Sequence, residues 1–168
     1  TKYYRENFGI FASTAILYNH ESPRRTEEYV TRKITSSVAR IACGEQDKLV
    51  LGDVSARIDW GYSREYMEAA WNILQLEKPD DFVIGTGETH SVEEFVEEAF
   101  AIAGLETKKH LTTDANLVRP TKTSALIGDI SKAKKHFGFD PKVKFKELVK
   151  IMVDADLQRE KNVTPKKR

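Results

Sequence analysis

The 168 residues contain a single cysteine, Cys43. One thiol closes no internal disulfide, and without a Cys/His cluster at metal-ligand spacing it makes no zinc site. Cys43 therefore reads as a small buried helix residue in a protein of a reducing compartment, with the cytoplasm as the default. No uninterrupted apolar run approaches the roughly 20 residues needed to cross a bilayer. The opening Thr1-Lys2-Tyr3-Tyr4-Arg5-Glu6 is too polar for a signal peptide. Charge of one sign is also lacking: 27 Lys and Arg against 26 Asp and Glu leave a net +1. No overall field recruits nucleic acid or a membrane, so an anionic ligand has to be held locally. Repeats and low-complexity blocks are absent before Lys161. His90, His110 and His136 lack metal spacing and read as surface or supporting residues. Gly85-Thr86-Gly87-Glu88 lacks both the third glycine of a dinucleotide fingerprint and the lysine of a P-loop, so it reads as a strand-to-helix turn.

What is present is enough apolar content, 40% of residues, to bury a core. Lys2 to Phe8 reads as the last turns of a helix ended by Gly9. Phe11 to Tyr18 is nearly continuous and apolar, the pattern of a parallel strand buried on both faces. Val30, Ile34, Val38 and Ile41 recur at helical spacing up to Cys43, and Gly44 closes that helix. A short strand over Lys48 to Leu51 leads into an irregular connection from Gly52 to Gly61. A helix marked by Tyr66, Ala70, Ile73 and Leu74 follows, then a strand over Phe82 to Ile84. Trp60 and Trp71 are placed in the core. Ser91 and Glu94 make a capping box for a helix with Phe95, Val96, Ala99, Phe100 and Ala103 inside. Thr112 to Thr123 reads as an extended loop. Asp129 or Ser131 caps a short helix ended by Gly138, and Phe145, Leu148, Met152 and Ala155 line the last helix. Lys161 to Arg168 has almost nothing to bury and is expected to be disordered. The pattern is mixed α/β, and its fully apolar first strand needs sheet partners that so few strands do not supply.

The densest polar cluster is Asn19-His20-Glu21-Ser22-Pro23-Arg24-Arg25, directly after that strand. In open α/β sheets ligands bind beyond the carboxyl ends of strands. Asn can donate and accept, His can hydrogen-bond a cofactor, and the Arg fork matches phosphate oxygens. A solvated turn with an Arg–Glu pair is the alternative. Thr31-Arg32-Lys33 lies in the first turn of the next helix, where free N–H groups favour anions, so it reads either as a diphosphate seat or as a basic surface turn. Arg57 and Arg119 sit in irregular segments far apart and reach one phosphate only if the fold brings them together.

The run Tyr-Arg-Glu-Asn-Phe-Gly, then Ala-Ile-Leu-Tyr-Asn-His-Glu-Ser-Pro-Arg-Arg, then Tyr-Val-Thr-Arg-Lys-Ile-Thr, strongly resembles the GDP-mannose 4,6-dehydratases. So do Asp59-Trp60-Gly61, the segment from Pro79 to Phe100, and Val118-Arg119-Pro120. The resemblance covers Tyr3 to Leu157. It implies an extended short-chain-dehydrogenase fold: an NADP-binding Rossmann domain followed by a smaller lobe that holds GDP-mannose. On that footing the chain is expected to be the C-terminal part of such a fold, an α/β protein with most of the NADP-binding domain absent. Residues 1–25 are expected to be a Rossmann remnant, 26–157 mainly the nucleotide-sugar lobe with segments returning to the Rossmann domain, and 158–168 a basic tail.

The resemblance implies that bound NADP oxidises the sugar at C4, water leaves across C5 and C6, and the hydride returns at C6. Its residue positions imply that Asn19 contacts the substrate, that His20 and Arg25 meet NADP, that Val30 and Lys33 contact the guanosine diphosphate, and that Arg119 grips the diphosphate. Arg57 is the candidate for a further nucleotide contact, because the family's usual arginine position holds Ile58. Lys122 stands where the family often has a Glu, and a cation accepts no ribose hydrogen bond. The family's Tyr-x-x-x-Lys, its Thr and Glu catalytic pair and its glycine-rich fingerprint are expected before Thr1, and neither Tyr3 nor Tyr4 has a Lys four residues on. No catalytic residue is assigned, and the chain alone is expected to be inert. Its expected partners are GDP-mannose, the missing Rossmann domain and further copies of itself. A related epimerase or reductase, or a non-catalytic GDP-sugar-binding module, are the alternatives.

Overall fold

The structure, a computed structural model, describes residues 1–118 and 125–163. In chain order its elements begin with α1 (Lys2–Phe8), β1 (Thr14–Leu17), β2 (Asn19–Glu21), α2 (Val30–Ala42) and β3 (Leu49–Leu51). Next come β4 (Arg57–Ile58), β5 (Trp60–Tyr62), α3 (Ser63–Ile73), β6 (Asp81–Ile84) and β7 (His90–Ser91). The chain continues through α4 (Val92–Ile102), α5 (Thr107–His110), β8 (Leu111–Thr113), a 3-10 turn (Ala115–Leu117), α6 (Ser131–Phe137) and α7 (Phe145–Val163).

β1 lies parallel to β6, from Thr14 opposite Asp81 to Leu17 opposite Ile84. The Tyr18 N–H then donates to the Ile84 carbonyl at 2.9 Å, and the same extended run continues as β2, now parallel to β5. One segment thus exchanges partners at Tyr18. Around it two cores form. The larger gathers Ile34 and Val38 of α2, Leu49, Trp60, Phe95 and Phe100 of α4, and Leu148 and Met152 of α7. The smaller joins Tyr66, Ala69 and Ile73 of α3 to Phe82, Ile84, Ala133 and Phe139, with Ala15 and Leu17 against it.

Long amphipathic elements match their patterns. Gly9 and Gly138 end α1 and α6 in the left-handed conformation (φ 63° and 70°). Ser91 Oγ accepts from the Glu94 N–H while the Glu94 carboxylate accepts from the Ser91 N–H, each at 3.0 Å, so the capping box is complete. Asp129 Oδ1 accepts the Ser131 N–H at 3.0 Å, leading into α6.

Elsewhere the structure corrects the reading. β1 is not buried on both faces: Ala15 and Leu17 pack inward, while Ile16 is 52% exposed. The connection from Gly52 to Gly61 is not wholly irregular, because it holds β4, antiparallel to β7, and the start of β5. The expected loop beginning at Thr112 contains the end of β8, parallel to β3, and the 3-10 turn; its remainder, 119–123, lies outside the described residues. Strands of two or three residues carry no readable alternation. Trp71 is 63% exposed, since Tyr66, Ala69 and Ile73 set the inward face of α3 and Trp71 lies on the other side. Cys43 is half-buried as the C-cap of α2. Lys161 to Val163 form the last turn of α7, and 164–168 lie outside the described residues.

α1 is fastened to the sheet by Arg5, whose two Nη nitrogens donate to the Asp81 carboxylate at 2.8 and 2.9 Å. The Thr14 N–H donates to the same carboxylate. The Arg5 guanidinium holds the Asp81 carboxyl well below the usual carboxylate range. A depressed pKa contributes stability that is present above the unfolded value, about 3.9, and is lost as pH falls toward the folded one. Thermal melts of wild type and Asp81→Asn should therefore differ at neutral pH and converge on acidification below about pH 4. Gly61 has a different constraint: a Cβ built there would come within 2.2 Å of the Tyr66 ring. Gly61→Ala should lower stability by about 1–3 kcal/mol or more, the usual cost of overpacking, read as a loss in Tm.

Candidate functional site

The carboxyl ends of β1 and β6 open onto three segments: the run from Tyr18 to Arg25, the Gly85–Glu88 turn, and Gly128. The first is held from beneath by Glu21, which is 2% exposed. Its carboxylate accepts the Thr31 hydroxyl at 2.7 Å and meets Arg25 Nε at 3.3 Å, tying the strand end to the first turn of α2. Burial pushes the Glu21 carboxyl upward, against the Thr31 hydrogen bond and the Arg25 charge. The Arg25 guanidinium lies 3.5 Å from the centroid of the Tyr29 ring. Asn19 is exposed and His20 half-buried.

A second clamp arrives from the far end of the chain. Asp156 of α7, 2% exposed, accepts the Thr35 hydroxyl at 2.7 Å and pairs with Arg32 at 3.0 Å and Arg159 at 2.7 Å. Both arginines also donate to the Pro23 carbonyl, Arg159 at 2.6 Å and Arg32 at 3.3 Å. The turn at Pro23 is thereby fixed to two helices. Arg32, read as half of a diphosphate seat, is buried and committed to this network, which leaves half-buried Lys33 as the cation of that turn. Val30 packs at the edge of the larger core.

Asp59 shapes the other wall. Fully buried, it accepts the Thr86 N–H at 2.9 Å, the Thr86 hydroxyl at 2.6 Å, the Gly87 N–H at 3.2 Å and the Gly128 N–H at 3.1 Å. The N–H groups of this glycine-rich turn face a carboxylate, so it is a structural turn and no phosphate cradle. Gly85 and Gly128 approach so closely that a Cβ on either would lie 3.2 Å from the other's Cα. Tyr18 packs against both, and its hydroxyl donates to the Ile127 carbonyl at 3.2 Å.

Glu21 ties Arg25 to the first turn of α2, which carries Val30 and Lys33, and Asn19 and His20 directly precede Glu21 on β2. Arg57 belongs to a separate group. Its nitrogens donate to the Thr89 carbonyl at 2.7 Å, the Thr89 hydroxyl at 3.4 Å and Glu94 at 3.2 Å. Glu94 is held below the ordinary range by the Ser91 N–H first, then by Arg57 and His90. His90 itself stacks on Phe145 at 3.8 Å. Arg119 and Lys122 lie outside the described residues.

Unlike Tyr3 and Tyr4, Tyr29 has a lysine four residues on, Lys33, in Tyr-x-x-x-Lys spacing. Tyr29, however, is the extended N-cap residue (φ −86°, ψ 141°) rather than part of the helix, and its ring is covered by Arg25. We assign the pair no proton transfer. Among the described residues no group of three His, Cys, Asp or Glu could hold a metal, and no helix is long and apolar enough to cross a membrane.

Comparison with known proteins gives a consistent result. The family model described as GDP-mannose 4,6 dehydratase matches residues 1–152. GDP-mannose 4,6 dehydratase 1 of Arabidopsis thaliana is 52% identical over 155 residues, covering 92% of this chain and 43% of that protein. The Homo sapiens GDP-mannose 4,6 dehydratase is 45% identical over 172 residues, covering 92% and 46%. The chain thus spans somewhat under half the length of these curated relatives. Among solved structures, Pseudomonas aeruginosa RMD in complex with NADPH has a TM-score of 0.85 at 18% identity, covering 94% of this chain and 52% of its own. The dTDP-glucose 4,6-dehydratase of Bacillus anthracis with NAD has a TM-score of 0.78 at 20% identity, covering 94% and 48%. Likeness at these identities shows the fold.

Asp156→Ala should remove the nearer and more buried of the two carboxylates paired with Arg32, leaving only Glu27 at 3.8 Å, at a cost of up to about 3–5 kcal/mol. Denaturant unfolding measures that loss, and protease cleavage near Pro23 should accelerate as its two arginine donors are released.

Proposed function

We propose, from the premise that this chain belongs to the GDP-mannose 4,6 dehydratase family, that it supplies the substrate- and cofactor-holding part of an enzyme converting GDP-mannose to GDP-4-keto-6-deoxy-mannose and water. The observation that carries this reading is the Asn19–Arg25 segment. It stands at the carboxyl end of a parallel pair, immobilised by two buried carboxylates, with cationic and amide groups left for a ligand.

The donor set fits an anionic dinucleotide beside a nucleotide diphosphate. Among the described residues no hydrogen bond engages the two Nη nitrogens of Arg25, which suits a phosphate. His20 is the third residue beyond β1 and the middle residue of β2, where a nicotinamide ring would reach the sheet edge. The RMD neighbour holds NADPH and the Bacillus anthracis dehydratase NAD; basic Arg24 and Arg25 favour NADP here. When bound, it would accept a hydride from the sugar and return it, remaining unchanged over a turnover. Asn19, Val30 and Lys33 hold the nucleotide sugar, and Arg119 its diphosphate. Arg57 joins them only by releasing Thr89 and Glu94.

In this reading residues 1–25 belong with the cofactor half and 26–157 mainly with the substrate lobe, while Arg159, beyond that boundary, still reaches back to the Pro23 carbonyl. Proton transfer to and from the sugar is carried by residues outside these 168, so the chain alone binds without turnover. The intact enzyme is a cytoplasmic homo-oligomer that makes a 6-deoxyhexose precursor.

Calorimetry with GDP-mannose, GDP, UDP-glucose and NADP tests the assignment. Selective binding of the two guanosine nucleotides is expected, and Lys33→Ala should weaken it roughly tenfold, the equivalent of one charge-assisted hydrogen bond. Preference for UDP-glucose would overturn the substrate. No binding by folded chain would show that the other half completes the site.

A further inference from the structure

His20 has one way to make the hydrogen bond it makes. Its Nδ1 lies 2.9 Å from the Tyr18 carbonyl oxygen, and a carbonyl has no proton to give. Nδ1 therefore carries the hydrogen, and in the neutral imidazole Nε2 is left with a bare lone pair. No described residue donates to Nε2.

The ring is held in that orientation from one side. Tyr66 stacks on it with centroids 5.3 Å apart and planes 29° from parallel. Tyr66 is fully buried, and its hydroxyl has no partner among the described residues, so it acts here through its face rather than its oxygen. The space for that ring comes from Gly61, the residue directly opposite His20 in the β2–β5 register. A Cβ at Gly61 would overlap three Tyr66 atoms at 2.2 to 2.6 Å. Sequence-distant Gly61 and Tyr66 are thus a built support for one imidazole.

We propose that His20 meets its ligand as a hydrogen-bond acceptor through Nε2, with the Tyr18 carbonyl fixing the tautomer and Tyr66 acting as a positioning residue. The ligand group must then be an N–H or O–H donor: the primary carboxamide of a nicotinamide, or a hydroxyl of a ribose or hexose. A phosphate or keto oxygen does not fit the neutral ring at this position, because two lone pairs would face each other. The inference rests on the reading that a nicotinamide dinucleotide and a nucleotide sugar share this crevice.

The test is nitrogen NMR of the intact protein with 15N-labelled histidine, run beside calorimetry. Without ligand, His20 should show a pyrrole-type Nδ1 and a pyridine-type Nε2. NADP should shift Nε2 and leave Nδ1 protonated. An NADP analogue with a methyl ketone in place of the carboxamide separates the donors: loss of the shift assigns the carboxamide, and its retention assigns a hydroxyl. His20→Phe, which keeps a ring against Tyr66 but removes Nε2, should weaken NADP about tenfold, equivalent to one hydrogen bond of the stronger kind. Tyr66→Phe should retain both the tautomer and the affinity to within about twofold, since it keeps the stacking face. A pyrrole-type Nε2 in the free protein, or an unmoved Nε2 while calorimetry registers NADP, would overturn the inference alone. Loss of the tautomer in Tyr66→Phe would transfer the role to the hydroxyl and overturn the positioning by the ring. Absence of any nucleotide binding by the intact enzyme, with both halves present, would remove the functional reading and this inference with it.

Discussion

The contact between Asp156 and Arg32 constrains more of this structure than any other single interaction. Both side chains are almost wholly withdrawn from water, where an unpaired charge is strongly unfavourable, so the two must stay together. Keeping them together holds α7 against α2. Because Arg32 and Arg159 also donate to the Pro23 carbonyl, the same cluster fixes the backbone of the candidate ligand segment. A polar turn that would otherwise be a mobile surface loop inherits the rigidity of two packed helices.

Glu21 and Asp59 repeat the device on a smaller scale. Each buried carboxylate collects several donors: the nearby Arg25 and Thr31 for Glu21, and the sequence-distant Thr86, Gly87 and Gly128 for Asp59. The walls of the crevice are positioned by buried acidic residues, while the Asn19–Arg25 segment leaves amide, imidazole and guanidinium groups for a ligand. That separation keeps the supporting charges from repelling an anionic ligand, because each is already neutralised or saturated with hydrogen bonds.

Legibility followed element length and the range of the interactions. Helices α2, α4 and α7 were readable because their apolar spacing repeats over several turns, and the Ser91–Glu94 cap because its partners are three residues apart. β4, β5, β7 and β8 were not, since two or three residues owe their form to a partner strand rather than to their own pattern. Trp71 misled because size alone argues for burial, whereas the face it occupies is set by the neighbours of α3. Arg57 likewise looked free in its irregular segment, and the antiparallel pairing of β4 with β7 delivered it to Thr89 and Glu94.

The sequence by itself determined the polar composition of the Asn19–Arg25 segment, its place after an apolar strand, and the family resemblance those residues carry. These are local properties, encoded in residue order. Tertiary structure alone decided that Asp156 would lie beneath Pro23, that Gly61 would stand opposite His20 with Tyr66 against it, and that Arg32 would be buried while Lys33 stayed half-exposed. Those depend on packing between residues tens of positions apart, where spacing along the chain carries no record of distance in space.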